Sequence, residues 1–355
     1  MATEADIRNV VGAVNDPELG QSFGELKMLK SVNIANGLAT VEIELPTPAY
    51  PGRERISSAI SDAVKVKLPV VADVAVKFTA VVKGKSSGGK IGLTIKNIIA
   101  VGSGKGGVGK STVAAILAYG LKHFGARVGL MDADVYGPSI PHLVGASGQP
   151  GIKQLQTPDG RMFERIEPIE ADGIKVMSMG FMIGEDQAVI WRGPMLHKAL
   201  TQFLQQTDWG ELDYLIVDMP PGTGDVALTL SQLVSLAGAV VVCTPQKVAL
   251  LDAAKAISMF QTVKIPILGM VENMSGEIFG RGGAKAKAQS AGIPFLGEIP
   301  SDPVIRIQGD EGKISALFHD DSPVRQILLD VASRTAMEVA RELQAGPALP
   351  TLEIL

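Results

Sequence analysis

The sequence predicts an α/β fold in which a doubly wound, mostly parallel sheet follows a small α+β domain. Apolar runs rich in β-branched residues alternate with helical patterns from residue 97 onward, as is typical of parallel strands buried on both faces. The first eighty or so residues follow a different pattern. A segment rich in glycine, serine and lysine, "KGKSSGGK" at 83–90, separates the two regions.

The small domain is predicted to span residues 1–82 in the order α-β-β-α-β. Thr3 and Asp6 have the spacing of a capping box at the start of the first helix. The Asn-Gly pair at 36–37 lies between two strand-like runs, which is the usual signal of a β-hairpin. A helix near 53–67 and a strand within 73–82 complete the unit.

Residues 83–96 are interpreted as a flexible linker because glycine, serine and charged residues favour a solvated chain. The larger α/β domain is predicted over 97–345. Helices on both faces of the sheet would bury its strands. The expected strands lie at 98–101, 127–131, 174–177, 214–217, 239–243, 265–271 and 295–299.

Composition excludes several classes of protein. The 355 residues are 46% hydrophobic and 20% charged, which is typical of a globular chain, and the net charge of −4 with a pI near 5.7 argues against nucleic acid as a partner. No apolar run reaches the ~20 residues needed to span a bilayer, and no targeting segment is recognised. The single cysteine, Cys243, is consistent with a reducing compartment. We therefore expect a cytoplasmic protein with no membrane partner.

A glycine-rich loop after the first strand of the larger domain matches G-x-x-x-x-G-K-[ST], the pattern of a phosphate-binding loop that precedes a helix. Its backbone N–H groups and the following helix dipole favour a bound nucleotide, here ATP. Lys110 is expected to reach the β- and γ-phosphates, Ser111 to ligate Mg²⁺, and Thr112 to touch the α-phosphate. The loop consists of Gly104, Lys105, Gly106, Gly107, Val108, Gly109, Lys110 and Ser111.

Aspartates follow two of the predicted strands. Asp132 and Asp134 lie in "LMDADVYGPS", and Asp218 lies in "LIVDMPPGTGD". We expect Asp218 to hold Mg²⁺ through water and Asp134 to orient the attacking water. The alternative is that these aspartates only cap helices. Glycines make "PPGTGD" a candidate switch segment that senses a γ-phosphate.

The second lysine of the loop, Lys105, has no role in an ordinary phosphate-binding loop. The run "GKGGVGKST" resembles the deviant Walker A motif of the nitrogenase-iron-protein, MinD and ParA class. That resemblance implies that Lys105 crosses the interface of a homodimer to the partner's phosphates, so that hydrolysis depends on dimerisation. The alternative is an exposed lysine on a turn.

Further motifs resemble the Mrp-type iron-sulfur cluster carrier ATPases: "DADVYGPSIP", "WRGPM", "TPQKVALLDA", "VENMS" and "PFLGEIPSDP". The N-terminal "NDPELG" unit is similar to a small domain of iron-sulfur assembly factors. The likeness covers nearly the whole chain and implies that Asn273 binds the adenine edge, with "IPSDP" closing the base pocket. Asn273 could equally be a turn residue. Arg192 is either an interface residue or an arginine stacked on Trp191.

The chain departs from this family at the sites of the thiols. The C-x-x-C insertion by which a family dimer bridges a [4Fe-4S] cluster is absent, because Ser275 is followed directly by "GEIFG". Tyr50 stands where many relatives have cysteine. Cys243 ends an apolar strand and is interpreted as a small buried residue. The histidines at 123, 142, 197 and 319 show no paired ligand spacing. The ligands of an iron-sulfur cluster are therefore unknown.

Three functions stay open on the sequence. The first is an ATP-dependent homodimer that takes part in iron-sulfur cluster assembly or transfer to apoproteins. The second is a cluster-free, ATP-dependent dimerisation switch that recruits assembly factors. The third is a positioning ATPase of the MinD or ParA kind, against which stands a C-terminus, "QAGPALPTLEIL", that lacks a basic amphipathic helix.

Overall fold

The computed structural model describes residues 2–84, 93–156, 160, 162–182, 193–222 and 224–345. The chain divides into two compact units, Met1–Val82 and Lys83–Leu355. Most of the predicted linker, residues 85–92, lies outside the described residues.

The smaller unit contains a three-stranded sheet packed against two helices. Its strands lie in the order β1-β2-β3, with β1 and β2 antiparallel and β2 and β3 parallel. The predicted capping box is confirmed, since the Thr3 side chain accepts from the backbone N–H of Asp6 and the Asp6 carboxylate accepts from the backbone N–H of Thr3. The elements are α1 (Glu4–Gly12), β1 (Leu29–Ala35), β2 (Leu38–Leu45), α2 (Arg53–Lys67) and β3 (Asp73–Ala80).

The larger unit is built on an eight-stranded sheet with the order β13-β12-β11-β4-β10-β5-β9-β8. All neighbouring strands are parallel except β8, which runs antiparallel to β9 at the edge. The strands are β4 (Ile95–Gly102), β5 (Val128–Asp132), β8 (Ile169–Ala171), β9 (Ile174–Ser178), β10 (Leu212–Asp218), β11 (Gly238–Cys243), β12 (Ile267–Ser275) and β13 (Phe295–Pro300).

Helices connect these strands, and a separate hairpin of β6 and β7 lies between β5 and β8. The helices are α3 (Lys110–His123), α4 (Ile140–Leu143), α5 (Gly193–Gln206), α6 (Asp225–Leu233), α7 (Lys247–Thr262), α8 (Gly283–Ala291), α9 (Pro303–Asp310) and α10 (Arg325–Ala345). The hairpin strands are β6 (Gly151–Gln156) and β7 (Met162–Glu167).

The central strands explain the apolar runs of the sequence. Every residue of β5, β10 and β11 is buried, because helices cover both faces of the sheet. Strand β4 lies between β10 and β11, so the sheet extends from it in both directions. The carboxyl ends of the parallel strands meet at one edge, where a doubly wound fold binds its ligands.

Three features differ from the sequence predictions. Strand β4 begins at Ile95, inside the predicted linker, because Ile95 pairs with Leu212 and Lys96 forms an ion pair with Asp213 at 2.8 Å. The β6–β7 hairpin was not predicted, since its mostly exposed residues lack a regular apolar alternation. The edge strand β8, at Ile169–Ala171, is only three residues long and was also missed. No helix among the described residues is long and apolar enough to cross a membrane.

Candidate nucleotide-binding site

The phosphate-binding loop connects β4 to α3 at the carboxyl edge of the sheet. Gly107 and Gly109 have φ values of 77° and 76°, in the left-handed region that favours glycine. The loop forms one wall of a cavity of about 330 Å³, and the segment that follows β5 forms the opposite wall. The cavity is lined by Ser103, Lys105, Gly106, Gly107, Gly109, Lys110, Ser111, Thr112, Asp134, Gly137, Ser139, His142, Leu143 and Pro221.

Lys110 brings together the carboxylates that the sequence placed at the ends of β5 and β10. Its side chain is almost fully buried. The Nζ atom lies 2.6 Å from Asp218 Oδ1 and 3.6 Å from Asp134 Oδ2, and it donates to Ser111 Oγ at 3.2 Å. An ammonium group held between two carboxylates at the start of α3 can exchange these partners for phosphate oxygens. Candidate site residues from three separate segments therefore meet at the Lys110 ammonium group.

A buried pair of carboxylates, Asp132 and Asp218, lies beneath this pocket. Burial, together with the nearby charge of Asp218, raises the pKa of Asp132 to about 8, although N–H and O–H donors oppose the shift. Burial also raises the pKa of Asp218, and the Lys110 ammonium opposes that shift. Both shifts are expected, because removal from water destabilises the charged form of a carboxyl group. The two carboxyl groups therefore hold protons more tightly than in water, and a cation held at this position would favour their charged forms.

The donor set fits a magnesium ion and the phosphates of a nucleotide. Asp218 Oδ2 is buried and has no hydrogen-bond partner among the described residues. The Ser111 hydroxyl lies beside Lys110, which in turn contacts Asp218. Hydroxyl and carboxylate oxygens are the ligands that Mg²⁺ prefers, usually with water completing its shell. Mg²⁺ held by such residues would neutralise phosphate charge, which is the chemistry it supplies in phosphoryl transfer.

Asp132 is a positioning residue that the candidate list of the sequence did not contain. Its Oδ1 atom accepts the backbone N–H of Asp134 at 3.0 Å. Its Oδ2 atom accepts the N–H of Ile140 at 3.2 Å and the hydroxyl of Ser178 at 3.0 Å. These bonds hold the whole segment between Asp134 and α4 against the sheet. The "DAD" pattern was the only sequence signal for this role.

Asn273 supports the phosphate-binding loop from the neighbouring half of the sheet. It is buried, and its Nδ2 atom donates to the carbonyl oxygen of Val108 at 2.9 Å. A Cβ atom on Gly109 would lie 2.1 Å from that nitrogen, so the close approach requires glycine there. The adenine contact of Asn273 stays a prediction. The observed contact fixes its side chain beside the loop.

Lys105, the second lysine of the loop, has different surroundings from Lys110. Its side chain is partly exposed, and within the described part of the chain its ammonium group makes no ion pair or hydrogen bond. Only its carbonyl oxygen is engaged, by the Ser103 hydroxyl at 2.9 Å. The cation at the rim of the pocket is therefore available to another molecule. Arg192 and residue 223 of the candidate switch segment lie outside the described residues.

The residues present do not form a site for an iron-sulfur cluster. Cys243, the only cysteine, is 1% exposed, and burial together with the charge of Glu272 raises the pKa of its thiol to about 12. The described residues contain no group of three or more histidine, cysteine or acidic side chains that could hold a metal ion. At the position of the family's insertion, Gly276 and Gly280 exchange backbone hydrogen bonds of 2.9 and 2.8 Å and close a short turn.

Tyr50 occupies the corresponding thiol position of the smaller unit. Its phenol is buried and donates to the Oδ1 atom of Asp16, which also accepts the backbone N–H groups of Glu18 and Leu19. The side chain therefore ties the loop after β2 to the loop after α1. It serves as a structural hydrogen-bond donor.

A phosphate-binding loop after the first strand of a parallel sheet, a buried lysine and aspartates at the ends of neighbouring strands define a P-loop NTPase. The chain belongs to the NUBPL iron-transfer P-loop NTPase family, whose model, ParA, matches residues 94–336. A second model, for the iron-sulfur cluster assembly protein family, matches residues 4–78. The resemblance that the sequence motifs indicated is thereby confirmed.

Several relatives align along almost the whole chain. A protein of Deinococcus radiodurans, named iron-sulfur cluster carrier protein, is 44% identical over 96% of this chain and 98% of its own length. A protein of Synechocystis with the same name is 45% identical over 96% and 99%. Among solved structures, a nucleotide-binding protein in complex with ADP from Archaeoglobus fulgidus is 37% identical, with a TM-score of 0.53, and covers 65% of this chain and 93% of that chain.

Proposed function

We propose that this protein is an ATP-binding and ATP-hydrolysing homodimer that acts in iron-sulfur cluster assembly or transfer to apoproteins. One observation carries the ATPase proposal: the Lys110 ammonium group is engaged by two carboxylates, whereas Lys105 is partly exposed at the rim of the pocket and its ammonium group has no partner among the residues that the structure describes. The names of relatives that align along the whole chain support the role in cluster transfer.

The roles of the pocket residues follow from their positions. Lys110 binds the β- and γ-phosphates within its own subunit, and the loop N–H groups hold their oxygens. Ser111 and Asp218 hold Mg²⁺, and Asp134, whose Oδ2 atom lies 3.6 Å from Lys110 Nζ, orients the attacking water. Lys105 supplies a cation to the phosphates of the partner, where charge develops during hydrolysis.

The roles of the two lysines are distinguished by measuring ATP binding and dimerisation in variants of each. Lys110→Ala should abolish ATP binding, because it removes the positive charge that binds the β- and γ-phosphates in the loop. Lys105→Ala should bind ATP with unchanged affinity as a monomer and lose both hydrolysis and ATP-induced dimerisation. Calorimetry measures the binding, light scattering the mass, and phosphate release the hydrolysis. Lys285→Ala, which removes an exposed lysine on α8, is the matched control and should behave like the unchanged protein.

An equal loss of ATP affinity in the Lys105→Ala and Lys110→Ala variants would contradict the cross-subunit role. Dimerisation of the Lys105→Ala variant with ATP, at the concentration where the unchanged protein dimerises, would do the same. Either result would make Lys105 an ordinary residue of the loop.

A second candidate function is a cluster-free switch whose ATP-bound dimer recruits assembly factors. The buried thiol of Cys243 and the short turn between Gly276 and Gly280 favour it, since neither can hold a cluster. A [4Fe-4S] cluster normally needs four thiolates, and a dimer of this chain offers only the two copies of Cys243. In the carrier function, by contrast, a cluster would be cargo whose remaining ligands come from a small thiol or from the client.

Anaerobic reconstitution with iron and sulfide distinguishes the two functions. After desalting, we expect little iron in the isolated protein, no change in that iron in the Cys243→Ser variant, and ATP hydrolysis without iron. Transfer of a cluster to an apoprotein in the presence of glutathione would support the carrier. Recovery of about four irons per dimer, lost in Cys243→Ser, would show that the chain holds a cluster with its own thiolates.

A further inference from the structure

One wall of the candidate nucleotide cavity contains residues that lie outside the phosphate-binding motif. The phosphate-binding loop and the start of α3 form the first wall. The opposite wall continues past Asp134 to Ser139, His142 and Leu143, which lie at and just before the short helix α4. The sequence motifs assign none of these three residues to the nucleotide.

The backbone of α4 is held firmly in place. Ile140 is fully buried, and its N–H group is bound by Asp132 Oδ2 at 3.2 Å. At the other end of the helix, a Cβ atom on Gly312 would lie 2.9 Å from the carbonyl oxygen of His142, so the two segments are in close contact. The exposed imidazole of His142 therefore projects from a fixed base.

The position of α4 indicates which part of a nucleotide it faces. Asp134, near the predicted γ-phosphate position, precedes α4 in the chain. On its far side, α4 contacts α9, where Leu143 Cδ2 lies 3.3 Å from the Cβ position of Gly309. Helix α9 begins at Pro303, the last residue of "IPSDP", the predicted base-closing segment. His142 lies between these ends in the chain and lines the same cavity as Thr112, the residue predicted to touch the α-phosphate.

We infer that His142 binds the α-phosphate–ribose segment of the nucleotide through an imidazole N–H group. Each tautomer of a neutral imidazole carries one N–H donor. Within the described residues the ring has no hydrogen bond, ion pair or ring contact. The inference rests on the proposed function, since it assumes that this cavity takes a nucleotide. ADP and ATP share the α-phosphate and ribose, so His142 should contribute equally to the affinity for both nucleotides.

Nucleotide affinity tests the inference. Dissociation constants for ADP and for a non-hydrolysable ATP analogue would be measured by calorimetry with Mg²⁺ on the full chain. His142→Ala should weaken both by about tenfold, the effect of one hydrogen bond to a charged group. His142→Gln, which keeps a donor, should recover most of the affinity. The matched control is His197→Ala, which removes an exposed histidine on α5 outside the cavity.

Each outcome separates this inference from the proposed function. Equal weakening of both nucleotides, with recovery in His142→Gln and an unchanged melting temperature, supports the role of His142. Unchanged affinity in His142→Ala overturns it, and so does weakening of the ATP analogue alone, which would place the ring at the γ-phosphate. If the unchanged protein binds neither nucleotide, the proposed function itself fails.

Discussion

The first glycine of the phosphate-binding loop should be required for stability as well as for phosphate binding. A Cβ atom added at Gly104 would lie 1.9 Å from the carbonyl oxygen of Asp252 and 2.1 Å from its carbonyl carbon. Both atoms belong to the backbone of α7, so no side-chain rotation can relieve the contact. In Gly104→Ala the start of the loop and α7 must move apart by more than an ångström.

Gly106 provides a matched control two residues away. A Cβ atom there would meet nothing closer than Pro221 Cγ at 4.0 Å, an ordinary van der Waals distance. Neither glycine has a positive φ, so alanine brings no backbone strain at either position. The two substitutions add the same methyl group to the same loop and differ only in what that group meets.

We expect Gly104→Ala to lower the free energy of unfolding by about 3 kcal/mol, at the upper end of the usual cost of overpacking. That loss corresponds to a fall of roughly 6–12 °C in the melting temperature of a domain of this size. Gly106→Ala should change the stability by less than about 0.5 kcal/mol. Thermal unfolding without nucleotide, followed by tryptophan fluorescence, measures the larger unit alone, because both tryptophans lie in it.

Equal melting temperatures for the two variants would refute this reasoning. They would show that the loop can move away from α7 at little cost, so that the close contact does not constrain Gly104. A large loss in Gly106→Ala would refute it as well, since nothing in its surroundings opposes a methyl group.

Three further predictions concern the thiol, the smaller unit and the linker. Cys243, whose pKa is raised to about 12, should react with a thiol reagent at pH 8 only after unfolding; reaction in the native protein would contradict its burial. Tyr50→Phe removes a donor to Asp16 and should destabilise the smaller unit by about 1–3 kcal/mol, seen as faster amide exchange at residues 16–19. A fragment of residues 90–355 should fold and bind ADP, and proteases should cut the whole chain first within 83–90; an insoluble fragment would show that the two units depend on each other.

Local patterns in the sequence were sufficient for the architecture of both units. Strands such as Leu212–Asp218 are continuous apolar runs because both of their faces are covered, and that composition is visible without coordinates. The capping box at Thr3 and the Asn-Gly hairpin involve residues only a few positions apart. The phosphate-binding loop is equally local. These features depend on neighbours in the chain, so the sequence alone indicates them.

Strands whose residues show no clear alternation of apolar and polar side chains could not be predicted from the sequence. The β6–β7 hairpin is mostly exposed, so burial imposed no alternation on its residues. Ile95 and Lys96 looked like linker because their partners, Leu212 and Asp213, lie more than a hundred residues further along the chain. Pairing with a distant strand, rather than local propensity, extends β4 to this point.

The sequence by itself determined the class of the protein, the glycine-rich loop with its two lysines and the absence of a C-x-x-C pair, since each is a matter of residue type and spacing. Only the tertiary structure decided which hydrogen bonds and ion pairs these residues make. It placed Asn273 against Val108 and bound Asp132 to the backbone of α4. It also gave Lys110 two carboxylate partners, whereas the Lys105 ammonium group has none among the described residues. The physical reason is that these contacts join side chains to groups on distant segments, and the packing of the sheet brings those segments together.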